Sequence, residues 1–150
     1  MRLVIQRVLE AACRVDGVTT GQIGQGYCIF AGFCDTDTPL VLEKMARKVI
    51  GLRVFSDEQG LMNLSIEQVH GSVLSVSQFT LYASCRKGNR PSFVNAARPE
   101  VSEPLYEQFN ELLARSVPVE KGIFGADMKI DLINDGPVTI WMDSEEMFGK

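Results

Sequence analysis

A chain of 150 residues with 45% hydrophobic content can build one continuous core without help from metals or disulfides. The net charge of −4 argues against wholesale nucleic-acid binding, but the charge is unevenly spread. Gly71 to Pro99 holds no Asp or Glu while Arg86, Lys87, Arg90 and Arg98 give it +4, so a local cationic surface is expected on an otherwise acidic protein.

The apolar run Leu3–Ile5 is broken at once by Gln6 and Arg7, which speaks against a signal-peptide core or a membrane span and for a cytosolic protein. Cys13, Cys28, Cys34 and Cys85 form no C-x-x-C pair, which excludes zinc-finger and thioredoxin-type readings and leaves reduced, mostly buried thiols. The single histidine, His70, stands beside Gly71 and reads as a loop residue, because a catalytic triad also needs a partnered nucleophile and an orienting acid.

In chain order, Leu3–Val8 is predicted as a strand, and Ala12–Val15 and Val18–Ile23 flank Asp16-Gly17, a dipeptide suited to a tight hairpin turn. Tyr27–Phe33 is an unbroken apolar run of strand length, as a central strand buried on both faces requires. Thr38-Pro39 has the form of an N-cap followed by proline in the first helical turn, and Leu40, Val41, Met45, Val49 and Ile50 recur at helical spacing to about Leu52. A short strand at Arg53–Phe55 and a turn over 56–60 follow, and then Ser72–Tyr82 reads as one long strand.

A second helix is predicted from Ser102 as N-cap, with Pro104 in its first turn and Leu105, Phe109, Leu112 and Leu113 as its apolar stripe. Met128–Ile133 and Val138–Met142 read as strands separated by the turn Asn134-Asp135-Gly136-Pro137. No repeat or linker interrupts the order, so residues 1–150 are expected to form one α+β domain with two main helices in which β structure predominates.

Ser77-Gln78-Phe79-Thr80-Leu81 and Asn134-Asp135-Gly136-Pro137-Val138-Thr139 together resemble the two signature motifs of the D-aminoacyl-tRNA deacylase family. Gln6-Arg7-Val8, Arg53 to Asp57 with Met62-Asn63-Leu64, Lys87 to Phe93, and Gly122 to Met128 stand in the same order and approximate spacing. The resemblance thus covers nearly the whole chain; Tyr27-Cys28-Ile29-Phe30 departs from a usually more aliphatic run, which touches packing only. It implies a compact β-rich α+β domain, barrel-like with two packed sheets, that forms a homodimer with active sites at the subunit interface, acting on the acceptor end of aminoacyl-tRNA and hydrolysing the ester that holds a D-amino acid.

Ester hydrolysis needs a positioned water, a base and donors for the developing oxyanion, and Ser77–Thr80 offers hydroxyls and backbone N–H groups without a nearby carboxylate. One route makes Thr80 a nucleophile, which requires an adjacent base. The other, implied by the resemblance, lets the 2′-hydroxyl of the terminal ribose help activate the water. N–H groups around Gln78 and Phe79 then hold the carbonyl, and Ser77 and Thr80 shape the pocket.

Enantiomers carry the same groups on Cα, so selectivity is better obtained by a rigid obstruction where the L side chain must go. Gly136-Pro137 suits that task, glycine bringing main chain close to a ligand and proline fixing φ. The resemblance implies a cis bond there, reaching into the partner subunit's pocket, and such a pocket should also admit glycine. Arg86, Lys87 and Arg90 are the candidates for the tRNA backbone, and no cofactor or metal is implied. The competing readings are a non-catalytic RNA-binding β-domain that stacks bases on Phe79 and Phe93, and a small esterase using Thr80 or Ser77 with His70.

Overall fold

The computed structural model describes residues 1–149. Its strands are β1 (Arg2–Val15), β2 (Val18–Ile23), β3 (Gly26–Gly32), β4 (Phe55–Ser56), β5 (Met62–Leu64), β6 (Ser72–Ser77), β7 (Val119–Lys121) and β8 (Lys129–Asp143). The helices are α1 (Pro39–Gly51), α2 (Pro99–Ala114) and α3 (Ser144–Phe148), with a 3₁₀ helix at Phe79–Tyr82. No helix among the described residues is long and apolar enough to cross a membrane.

β1 organises the six-stranded sheet. Along one side it pairs with β8 from Arg2 to Arg14, and along the other its first half pairs with β3 and its second half with β2. Beyond β3 come β6 and β7, both parallel to their neighbours, and β7 curves round to pack against β2. One strongly curved, nearly closed sheet therefore takes the place of the expected two packed sheets, with the β4–β5 pair beside it.

The curvature makes two cores. Leu3, Ile5, Ile29, Met45 and Phe109 join the sheet to α1 and α2, while Val8, Cys13, Cys28, Leu74 and Val76 fill the inside of the curve. Cys13 and Cys28 are buried, Cys34 is half-buried and Cys85 is exposed; all four are free, and burial pushes the Cys28 thiol up to about 12.

Several local predictions hold. Asp16 and Gly17 take φ values of 50° and 78° and close the β1–β2 hairpin with Val15 opposite Val18. The Thr38 hydroxyl accepts the Val41 N–H at 3.3 Å and Pro39 opens α1; such a cap contributes about 1 kcal/mol.

Others need correction. β1 is continuous, and so is β8, because Asn134–Pro137 reverses nothing. Gln6 pairs with Thr139 and Val8 with Asn134, so residues 135–138 bulge out of β8 opposite the single residue Arg7. β6 ends at Ser77, where its pairing with β3 runs out, and the chain tightens into the 3₁₀ helix. α2 starts at Pro99 with Arg98 as its cap residue; Ser102 lies one turn inside and bonds back to the Arg98 carbonyl at 3.1 Å. Both Pro99 and Pro104 carry the first-turn signal, and the earlier one starts the helix.

Candidate active site

The end of β6 and the start of the 3₁₀ helix open onto a cavity of about 550 Å³. Ser77, Gln78 and Phe79 form one wall, Phe93 another, and residues 124–128 a third, with Val76 and Ile130 reaching it from the inner core. Phe79 and Phe93 meet edge to face at 5.1 Å and 73° while staying 55% and 38% exposed. Two large aromatic rings left partly to water beside a cavity are an exposed apolar feature of the kind found at binding sites.

The main chain fixes the wall. Gln78 N–H donates to the Ala31 carbonyl at 2.7 Å and is thereby committed to the sheet. The N–H groups of Phe79 and Thr80 open the 3₁₀ helix, where no intrahelical acceptor exists, so these two remain available to donate where Gln78 N–H is not. Gln78 Nε2 instead donates to Thr80 Oγ1 at 2.6 Å.

Among the described residues the Thr80 hydroxyl is hydrogen-bonded by the Gln78 amide, which is not a base. His70 is exposed and precedes β6, so the strand separates it from Ser77 by roughly 16 Å at about 3.3 Å per residue. The carboxylate on the cavity wall, Asp127, is 86% exposed and paired with Lys129 at 3.1 Å. A Ser or Thr nucleophile working with His70 thus lacks its geometry.

Arg86, Lys87 and Arg90 are exposed on a loop pinched shut by Ser84 and Ser92, whose N–H groups donate to each other's carbonyls at 2.8 and 2.9 Å. The same pinch delivers Phe93 to the cavity, which sets the cationic loop beside its mouth.

Gly136 and Pro137 are exposed at the crest of the β8 bulge, joined by a cis peptide bond, and they do not line this chain's cavity. Their placement is braced from both sides. Arg7, a buried charge in the middle of β1, donates to the Asp135 carbonyl at 2.9 Å and the Val54 carbonyl at 2.5 Å, and its Nε lies 3.6 Å from the Asp135 carboxylate. Asn134 ties off the other end, accepting the Val138 N–H at 2.8 Å and donating to Thr139 at 2.9 Å.

Arg7 and the wall 124–128 were not singled out as site residues from the sequence. The signals were there: an arginine within an apolar strand, and Ile123, Phe124, Ala126 and Met128 interleaved with glycines in a loop.

The family model described as D-Tyr-tRNA(Tyr) deacylase matches residues 4–143. A solved structure described as "c-Myc DNA Unwinding Element Binding Protein" is 40% identical at a TM-score of 0.90, with 95% of this chain and 98% of that one covered. A second, described as a probable eukaryotic D-amino acid tRNA deacylase, is 18% identical at a TM-score of 0.80, covering 94% and 97%, and shares the fold. The two motifs, the cavity built on the first of them and the match over residues 4–143 lead to one conclusion: the chain belongs to the D-Tyr-tRNA(Tyr) deacylase family and is a hydrolase acting on D-aminoacyl-tRNA.

Proposed function

We propose that the cavity holds the aminoacyl group of D-aminoacyl-tRNA, that L-amino acids are rejected by steric exclusion, and that Gly136-Pro137 of a second copy supplies the obstruction. The observation that carries this reading is the separation within one chain. The crest of a bulge braced by Arg7 and Asn134 takes no part in lining this chain's cavity, although it carries the second of the two motifs. A homodimer reconciles the two. β8 pairs only with β1 among the described residues, and Leu9, Ile133 and Trp141 are 53%, 48% and 47% exposed on β1 and β8.

In this mechanism the terminal adenosine stacks on Phe79 and Phe93, and the Phe79 and Thr80 N–H groups receive the developing oxyanion. The 2′-hydroxyl of the ribose assists the attacking water, Gln78 holds the Thr80 hydroxyl, and Ser77 shapes the wall. Thr80→Ala is then expected to keep deacylation within about tenfold of wild type, the range left by loss of one positioning contact. Complete loss with intact tRNA binding would restore Thr80 as the nucleophile.

Exclusion by shape makes no demand on the D side chain, so the range of D-amino acids should be broad and glycyl-tRNA, including glycine misattached to tRNA-Ala, should also be cleaved. The test is parallel deacylation of matched D-aminoacyl-, L-aminoacyl- and glycyl-tRNA. Cleavage of the D- and glycyl substrates with the L-form spared is expected; a D-specific enzyme that leaves glycyl-tRNA wholly untouched overturns steric exclusion.

Arg86, Lys87 and Arg90 engage the acceptor-end phosphates. Arg90→Glu should weaken tRNA binding and flatten its salt dependence by about one unit of log–log slope, with an unchanged thermal melt. Unaltered affinity at moderate salt would remove this loop from the interface.

A further inference from the structure

We infer that Arg2 is a positioning residue for deacylation, clamping the C-terminal end of the 3₁₀ helix Phe79–Tyr82 so that the Phe79 and Thr80 N–H groups keep one geometry beside the cavity. The inference rests on the proposed role of that helix.

Four residues make a single 3₁₀ turn, a form with poor hydrogen-bond geometry that needs outside support. At its start, Gln78 N–H holds Ala31. At its end, the Leu81 carbonyl points out of the turn with no following helical N–H to receive, and Arg2 Nη1 donates to it at 3.0 Å. A cation at a helix C-terminus also meets the negative end of the aligned peptide dipoles.

Arg2 is itself fixed from several directions. Its backbone lies between Gly32 on β3 and Asp143 on β8. Its Nε donates to Asp143 Oδ2 at 2.8 Å, and its guanidinium stacks over the Tyr82 ring at 4.4 Å, with Trp141 at 5.6 Å. Asp143 is buried and also accepts the Glu145 N–H at 2.9 Å. Burial pushes its carboxyl up, but Arg2, the Glu145 N–H and the N-terminal ammonium outweigh that and hold it below the usual range, so the partner of Arg2 is ionised at neutral pH.

The clamp uses the forked shape of arginine, with one arm on Asp143, another on Leu81 and the plane against an aromatic ring. Lysine, a single point charge, cannot satisfy all three. The clamp acts on the helix from behind: Arg2 does not line the cavity, and its side chain is 31% exposed.

The test compares Arg2→Lys, Arg2→Gln and Phe79→Ala with wild type on D-aminoacyl-tRNA, reading kcat, KM and the thermal melt. Both Arg2 variants should lose about tenfold or more in kcat with KM for the tRNA within about twofold, as misplaced donors without lost binding contacts would give. Arg2→Lys, which keeps the charge beside Asp143, guards against a variant that merely fails to fold. A lowered melt with unchanged kcat in the folded fraction assigns Arg2 to stability alone and overturns the inference. Loss in Phe79→Ala with none in either Arg2 variant overturns the clamp and spares the site. Loss in the Arg2 variants with none in Phe79→Ala overturns action through this helix, and no loss in any variant overturns the site together with the clamp.

Discussion

Gly136→Ala is expected to lower deacylation of D-aminoacyl-tRNA by about 100-fold, the order of effect produced when a displaced crest pushes the bound ester an ångström out of place. Gly136 has φ +136°, a conformation that costs a residue with a side chain about 1–3 kcal/mol. An added Cβ would stand 2.9 Å from Val138 Cγ2 and 3.1 Å from Arg7 Nη2. Arg7 cannot yield freely, since its guanidinium already holds the carbonyls of Val54 and Asp135. The bulge must shift instead, and with it the obstruction proposed for the neighbouring pocket. Rates on D-, L- and glycyl-tRNA check this; unchanged rates and unchanged D/L discrimination would separate the bulge from catalysis.

Gly26→Ala should have the largest effect on stability, about 3 kcal/mol or more. Gly26 opens β3 at φ +155° and faces Ser72 across the parallel β3–β6 pair. A Cβ there runs into the Ser72 carbonyl oxygen and lies 2.7 Å from its nitrogen. Both are main-chain atoms; the Ser72 N–H already donates to the Gln25 carbonyl at 3.0 Å, so no side chain can swing aside. Relief requires unpairing the start of β6, the strand that delivers Ser77 to the cavity. That is a large share of the roughly 5–15 kcal/mol holding a typical domain. The urea midpoint should fall with an unchanged slope; an unmoved midpoint would mean that the two strands separate cheaply.

The parts of this fold that are legible in the sequence are those written in neighbouring residues. Asp16-Gly17 dictates its own turn, Thr38-Pro39 its own cap, and the run from Tyr27 its own burial. The parts that are not legible depend on distant partners. Asn134 to Pro137 has the composition of a reversal, but β8 is held straight by pairing with β1 on both sides of the bulge, so the same residues form a crest. Ser72–Tyr82 has strand composition throughout, yet β3 ends at Gly32 and leaves nothing for residues beyond Ser77 to pair with.

The site divides in the same way. Ser77, Gln78 and Phe79 meet at one cavity, and Arg86, Lys87 and Arg90 lie on the adjoining loop, as their positions along the chain suggest. The wall 124–128 arrives from the connection between β7 and β8, and Arg7 from β1, through tertiary contacts that no short motif encodes. Gly136-Pro137 does not line this chain's cavity, and the proposed contribution from a second copy starts from that observation.

Mixing two inactive variants tests this contribution between copies most directly. Phe79→Ala protomers and Gly136→Ala protomers, each confirmed as folded and dimeric, are unfolded together, refolded and assayed on D-aminoacyl-tRNA. If the bulge serves the neighbouring subunit, each mixed dimer regains one intact pocket, and random pairing should restore about one quarter of wild-type activity. A mixture no more active than either parent would place the bulge and the cavity in the same subunit and contradict exclusion across the interface.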